Sequence, residues 1–202
     1  MKLLRFDELP ATPWRNGTGV TRELACAPRG AGLDDFVWRA SIADVTASGP
    51  FSVFPGVDRL IVLLDGDGMR LEFADGRMHD LTQALVPYRF RGEDRVHARL
   101  AGSPSRDLNL MLRREVVSGD LRIWRDDAEI ACADSSVLLF CARGRWEAHF
   151  PDGTGTTLDE RETLTGTCGR GIITIRKLAQ DGVLVGATIT PHPFNDDKIR
   201  HE

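Results

Sequence analysis

The sequence is short of the features that usually give a function away. No apolar run approaches the ~20 residues that a membrane-spanning helix needs, so a helical membrane protein is excluded. Its 26 Lys and Arg against 30 Asp and Glu leave a formal charge of −4. A nucleic-acid partner would call for a basic stripe instead. The four cysteines, Cys26, Cys132, Cys141 and Cys168, have neither zinc-site nor redox-motif spacing. Free thiols in a reducing cytoplasm are the expectation. Charges break up Met1–Glu8, so it does not read as a signal peptide. The five histidines, His79, His97, His149, His192 and His201, include no pair at i, i+2 or i, i+4. That argues against a metal site, which generally needs clustered ligands. There is no nucleophile-elbow sequence, and Cys141 sits in an apolar run that predicts an inert, buried thiol.

Helical periodicity is missing too. Through the first half, no segment sustains a 3.6 period over a dozen residues. Short alternating runs stand between Gly, Pro and Asp turns instead. In Phe36–Ala43 one face carries Trp38, Ala40 and Ile42, the other Arg39, Ser41 and Ala43. Arg59–Leu64 is a strand-length apolar run, and Asp65-Gly66-Asp67-Gly68 after it reads as a hairpin turn. In Asp107–Arg113, Leu108, Leu110 and Leu112 oppose Asp107, Asn109, Met111 and Arg113. Residues 182–189 read as a last strand, followed by an irregular end through Phe194. The pattern predicts an all-β protein built of sandwiches or barrels.

The second half echoes the first at an offset of 77 residues. Leu60–Leu64 falls on Val137–Cys141, Phe73 on Phe150, Asp75-Gly76 on Asp152-Gly153, Gly92 on Gly169 and Val96 on Ile173. The offset runs without a gap from Leu60 to Ala98 and predicts an internal duplication. The expected architecture is a bicupin: two fused cupin-like, jelly-roll barrels or sandwiches, over residues 1–114 and 115–202. Metal-binding cupins carry two His and a Glu between glycines. In the register between Gly49 and Gly68 those positions hold Pro55, Val57 and Ile61. In the register ending at Gly66 they hold Val53, Pro55 and Arg59. Neither offers a metal ligand, and no cofactor is expected.

The stretch least explained by core burial is Pro13–Glu23, with a Trp, two Arg, an Asn, Thr and Glu hinged on Gly17 and Gly19. It resembles the Pro-Trp-Lys/Arg-Asn-Gly-Gly-Gly-x-Thr pattern of the HutD/Ves family of bacterial bicupins, with Thr18 in place of the usual Gly. The resemblance continues through Trp38-Arg39, Ser41, Gly49–Ser52, Phe54–Gly56, Asp58-Arg59 and Asp107–Met111. It implies a cytoplasmic protein associated with histidine utilisation that binds a small acidic metabolite and has a regulatory role. N-formylglutamate, formate and urocanate are the implied ligands.

The residues themselves point the same way. Arg15, Arg39, Arg59 and Arg113 stand beside strand or turn signals rather than in a charge run. Bidentate pairing with an Arg suits a carboxylate. Arg39, Arg59 and Asn109 are the expected anchors, with Trp14, Arg15, Asn16 and Thr21 closing the site. That holds if the Asn109 face of its strand looks inward, and fails if the Leu108 face does. Trp146 stands where the first repeat has Met69, and the second repeat lacks the polar set, so one site is expected. The competing expectation is a lyase, isomerase or hydrolase using Asp58 or His97 as acid–base. Open strand edges make a homodimer a further expectation.

Overall fold

The computed structural model describes residues 1–193, so Phe194 and His201 lie outside the described residues. The first half forms β1 (Lys2–Arg5), β2 (Thr12–Pro13), β3 (Gly19–Ala27), β4 (Trp38–Val45), β5 (Gly49–Pro50) and β6 (Val57–Asp65). It continues through β7 (Met69–Phe73), β8 (Met78–Leu81), β9 (Tyr88–Arg91), β10 (Val96–Leu100) and β11 (Ser105–Arg113). The second half forms β12 (Val117–Gly119), β13 (Arg122–Trp124), β14 (Ala128–Cys132), β15 (Ser135–Arg143) and β16 (Arg145–His149). It ends with β17 (Gly155–Asp159), β18 (Glu162–Cys168), β19 (Gly171–Lys177) and β20 (Val183–Pro191). The one helical element among the described residues is a 3-10 turn at Phe6–Glu8.

These strands make four antiparallel sheets. The order β2-β3-β4-β11-β6-β9 faces the small sheet β5-β10-β7-β8, and β1-β18-β15-β20-β12, with β13 also on β20, faces β14-β19-β16-β17. Ile61, Leu63, Met69, Leu71, Phe73 and Val96 fill the first sandwich. Val137, Leu139, Cys141, Trp146, Leu158 and Ile173 fill the second. The two large sheets pack back to back through a third core. Leu60, Val62, Leu108, Leu110 and Leu112 meet Leu138, Phe140, Val185, Ala187 and Ile189 there.

Several expectations need correction. Among the described residues no strand pair joins a large sheet to its small partner, so the sheets are open sandwiches and not closed barrels. Asp65–Gly68 is not a hairpin turn, because β6 and β7 pair in different sheets. It is a corner that carries the chain from one layer to the other. Gly68 there has φ +79°, and a Cβ would lie 2.1 Å from the Leu81 carbonyl oxygen. We expect Gly68→Ala to cost at least about 1–3 kcal/mol from the backbone conformation alone, read as a lower thermal midpoint. The ungapped offset also fails in one strand. Leu60 belongs to the core between the large sheets, whereas Val137 belongs to the interior of the second sandwich. A one-residue slip inverts the faces of a strand, so Leu60 and Val137 do not occupy equivalent positions. Finally, β1 pairs with β18 (Leu3 opposite Leu164), so the start of the chain lies in the second large sheet, apart from the rest of residues 1–114.

Candidate functional site

Period-two alternation on three neighbouring strands builds the polar interior of the first sandwich. On β11, Leu108, Leu110 and Leu112 face the second large sheet, which turns Asp107, Asn109 and Met111 inward. Register then sets their neighbours. Asn109 lies between Ser41 of β4 and Ile61 of β6, and Met111 lies between Arg39 and Arg59.

Arg59 is the centre of the group and is 7% exposed. Its Nη2 donates to Asn109 Oδ1 at 3.2 Å, and its Nη1 donates to the Ser52 carbonyl at 3.4 Å. Three rings surround the guanidinium: Phe90 at 4.9 Å, Phe51 at 5.0 Å and Phe54 at 5.8 Å from their centroids. Such ring faces partly compensate a desolvated cation. Burial pulls the Arg59 pKa down to about 10, so the group stays charged at neutral pH. Its Nε is buried and has no hydrogen-bond partner.

The Asn109 amide connects this cation to an acid. Its Nδ2 donates to Asp107 Oδ1. Asp107 is 1% exposed, and its Oδ2 has no partner. Burial pushes its pKa up to about 7, against the lowering effects of Arg59 and Asn109. The result is a guanidinium–amide–carboxyl relay in an apolar interior, with one unused donor at Arg59 and one unused oxygen at Asp107.

Arg39 stands beside the relay, 2.8 Å from Glu23 Oε2 and 3.3 Å from Ser41 Oγ. Trp14 Nε1 donates to Thr21 Oγ1 at 2.6 Å, and the indole meets Phe51 edge-on at 6.3 Å. Trp14 is thus one ring removed from Arg59. The structure therefore brings Arg39, Arg59 and Asn109 together, with Trp14 and Thr21 behind Phe51. It does not bring in Arg15 or Asn16. Both are exposed on the turn between β2 and β3, where Asn16 Oδ1 accepts from Thr18 N at 3.2 Å and Thr18 Oγ1 at 2.8 Å. Asn16 holds its own turn, as asparagine side chains commonly do. Thr18 is not among the residues of positive φ, so a glycine is not required there.

Arg113 spends its donors on the Phe36 and Asp34 carbonyls at 3.1 and 2.9 Å. Asp58 sits on the opposite face of β6 from Arg59, paired with Arg114 at 2.8 Å and Arg89 at 3.1 Å. His97 is exposed on the outward face of β10. Neither proposed acid–base residue reaches the interior. Outside the sandwich, a depression of about 430 Å³ is lined by Pro50, Phe51, Phe73 and His97, among others. Phe51, the ring that covers Arg59 on the inside, lines it too. Among the described residues no three His, Cys, Asp or Glu side chains form a metal-binding group.

Asp107, Phe51, Phe54 and Phe90 were not among the expected site residues. Phe90 is the cross-strand partner of Arg59, a fact of register between β6 and β9 that no local pattern announces. Asp107 had a signal, since it shares a strand face with Asn109.

The HutD family model matches residues 7–183. Protein Ves of Citrobacter koseri is 35% identical over 99% of this chain and 100% of its own length. A Pseudomonas putida protein described as an uncharacterized 21.2 kDa protein in the hutC 3' region is 39% identical over 73% of this chain and 76% of its own. The structure of HutD from Pseudomonas fluorescens SBW25, described under a formate condition, superposes with a TM-score of 0.82 at 29% identity, covering 95% of this chain and 99% of that one. At 7% identity, the Lactobacillus farciminis oxalate decarboxylase formate complex gives a TM-score of 0.65 over 95% of this chain and 86% of its own. That likeness is one of cupin fold alone.

Proposed function

The chain belongs to the HutD family, and from that premise we propose that it is a metal-free bicupin whose first sandwich binds a small carboxylate of histidine degradation in a regulatory role. One observation carries the reading: the buried Arg59 guanidinium keeps a bare Nε beneath three aromatic rings, beside an amide already oriented by its neighbours. A desolvated cation with an unused donor is a strong attractor for a carboxylate oxygen. Asn109 and Arg39 complete the polar wall, and Trp14 and Thr21 back the Phe51 ring. Arg15 and Asn16 stand at the outer turn, at most a rim to the site. Formate, N-formylglutamate and urocanate are the candidate ligands. The formate condition of the Pseudomonas fluorescens relative agrees with this class.

The internal duplication belongs to the same reading, with units over residues 1–114 and 115–202 and β1 exchanged into the second. The matching orders β5-β10-β7-β8 and β14-β19-β16-β17 support it. Where the first unit has Arg59, Asp107 and Asn109, the corresponding strand positions of the second hold Val137, Leu184 and Gly186, which supports a single site. Among the described residues the outer edges of β8 and β14 are unpaired, and a homodimer through such an edge in the cytoplasm is part of the proposal.

The test is thermal unfolding against the three acids, with a chelator control. At a hundred times its dissociation constant a ligand stabilises by about 2.7 kcal/mol. For a chain of this size that raises the midpoint by roughly 5–10 °C. A shift with at least one acid, unchanged by chelator, is the expected result. No shift with any acid, together with a fall on chelation, overturns the reading.

A further inference from the structure

We propose that the first sandwich takes up its carboxylate together with a proton, which Asp107 holds; the proposal rests on the carboxylate reading above. Its basis is the wiring of the interior. Asp107 and Arg59 do not bond directly but share Asn109, whose Oδ1 accepts from Arg59 and whose Nδ2 donates to Asp107. Among the described residues, these two groups alone leave side-chain polar atoms of the first interior unpartnered, Arg59 Nε and Asp107 Oδ2.

Asp107 is enclosed by β4, β6 and its own β11, with the small sheet opposite. On its own β11 the inward neighbour is neutral Asn109. From β6 comes Arg59, the main cation acting on it. From β4 come Ser41 and Arg39, and Arg39 is neutralised by Glu23 of β3 at 2.8 Å. Asp44 lies on the other face of β4, held by Arg106 at 2.6 Å and Arg22 at 2.8 Å. The opposing small sheet presents mainly apolar groups, among them Met69, Leu71 and Val96. Its one inward titratable group among the described residues is His79 of β8, opposite Leu71 and stacked on Tyr88 of β9 at 3.5 Å, where burial lowers its pKa and favours the neutral imidazole. The sheet's charged Arg70, Glu72 and Arg99, with His97, alternate outward.

Within this enclosure an ionised Asp107 balances Arg59. A carboxylate arriving on Arg59 would then leave one uncompensated negative charge in an apolar medium, which is costly. If Asp107 is protonated, the incoming carboxylate balances Arg59 and the interior is neutral again. Burial already holds the Asp107 carboxyl near about 7, so the proton is available close to neutral pH. A second carboxylate inside would find no cation, because Arg39 is occupied by Glu23. The ligand class is therefore a monocarboxylate, or a dicarboxylate with one group inside and the other at solvent.

The experiment is calorimetric titration of the full chain with sodium formate and, separately, N-formylglutamate, in paired buffers of different ionisation heat. Simple carboxylic acids are fully ionised from about pH 6 upward, so any proton uptake belongs to the protein. We expect most of one proton taken up per ligand at about pH 8 and little at about pH 6, with affinity about tenfold weaker at the higher pH. Asp107→Asn should bind with no proton uptake and no loss between the two values. Binding at about pH 8 with no proton taken up by the unaltered protein overturns the proposal alone. Absence of binding by both acids at both values removes the carboxylate reading and the proposal with it.

Discussion

Replacing Arg59 by methionine should abolish the proposed carboxylate response while leaving the protein within about 2 kcal/mol of its original stability. The two effects separate because the guanidinium is poorly compensated where it stands. It is 7% exposed, its side-chain hydrogen bonds are 3.2 and 3.4 Å long, and its Nε bonds to nothing. Replacing buried ionic groups by apolar ones of similar volume is often neutral or stabilising, by about 1–4 kcal/mol. Methionine is unbranched and packs well against aromatic rings, and Phe51, Phe54 and Phe90 already form its slot. Against this gain, Asn109 Oδ1 loses its donor, at about 1–3 kcal/mol. Asp107 does not become a stranded anion at neutral pH, because loss of the nearby cation pushes its pKa further up. Arg59→Ala differs in kind: it leaves a cavity as well and costs about 3–5 kcal/mol. Urea unfolding and the formate-induced thermal shift, measured on both variants, check the pair of claims. A methionine variant that keeps the shift would remove Arg59 from the site.

Asp107 adds a pH signature to the same experiment. Its folded pKa lies above its unfolded value, so its contribution to stability is full below about 3.8 and is lost as pH rises to about 7. Asp107→Asn should flatten that part of the curve.

The polar and apolar faces of Asp107–Arg113 are plain in the sequence. Which of them looks into the sandwich is not, because both are buried. Leu108 is 0% exposed and Asp107 is 1% exposed. The decision is made by the second large sheet, which covers the leucine face with residues about 30 to 80 positions further on, from Leu138 to Ile189. Pairings over such distances leave no local trace, and the same is true of β1 joining β18 and of Phe90 meeting Arg59. The corner at Asp65–Gly68 misleads for a different reason. Two glycines of positive φ serve a hairpin and a sheet-to-sheet corner equally well, and only the close approach of the Leu81 and Pro104 carbonyls tells them apart. The Trp14–Thr21 motif is legible as a motif. Its division of labour is not: Asn16 serves its own turn while Trp14 reaches the ring over Arg59.

The second sandwich reverses the chemistry of the first, and Trp146→Ala should show it. Trp146 is the second residue of β16, 77 positions after Met69, the first of β7, and it is 0% exposed. Its interior has Val137, Leu184 and Gly186 in place of a charged relay, and Trp124 closes over Gly186, 3.1 Å from where a Cβ would stand. The indole therefore fills a core with no ligand to accommodate. Its Nε1 is buried without a hydrogen-bond partner, so its contribution is one of volume and contact. Truncation to alanine should cost about 3–5 kcal/mol, a fall of roughly 6–20 °C in the midpoint for a chain of this size. Trp146→Phe loses no hydrogen bond and should cost much less. The core between the two large sheets is continuous, so the loss should lower one cooperative transition for the whole chain rather than split it. The formate-induced shift should survive undiminished in degrees, since no residue of the relay touches the second interior. Loss of that shift in Trp146→Ala, with the protein still folded, would place ligand binding in the wrong sandwich.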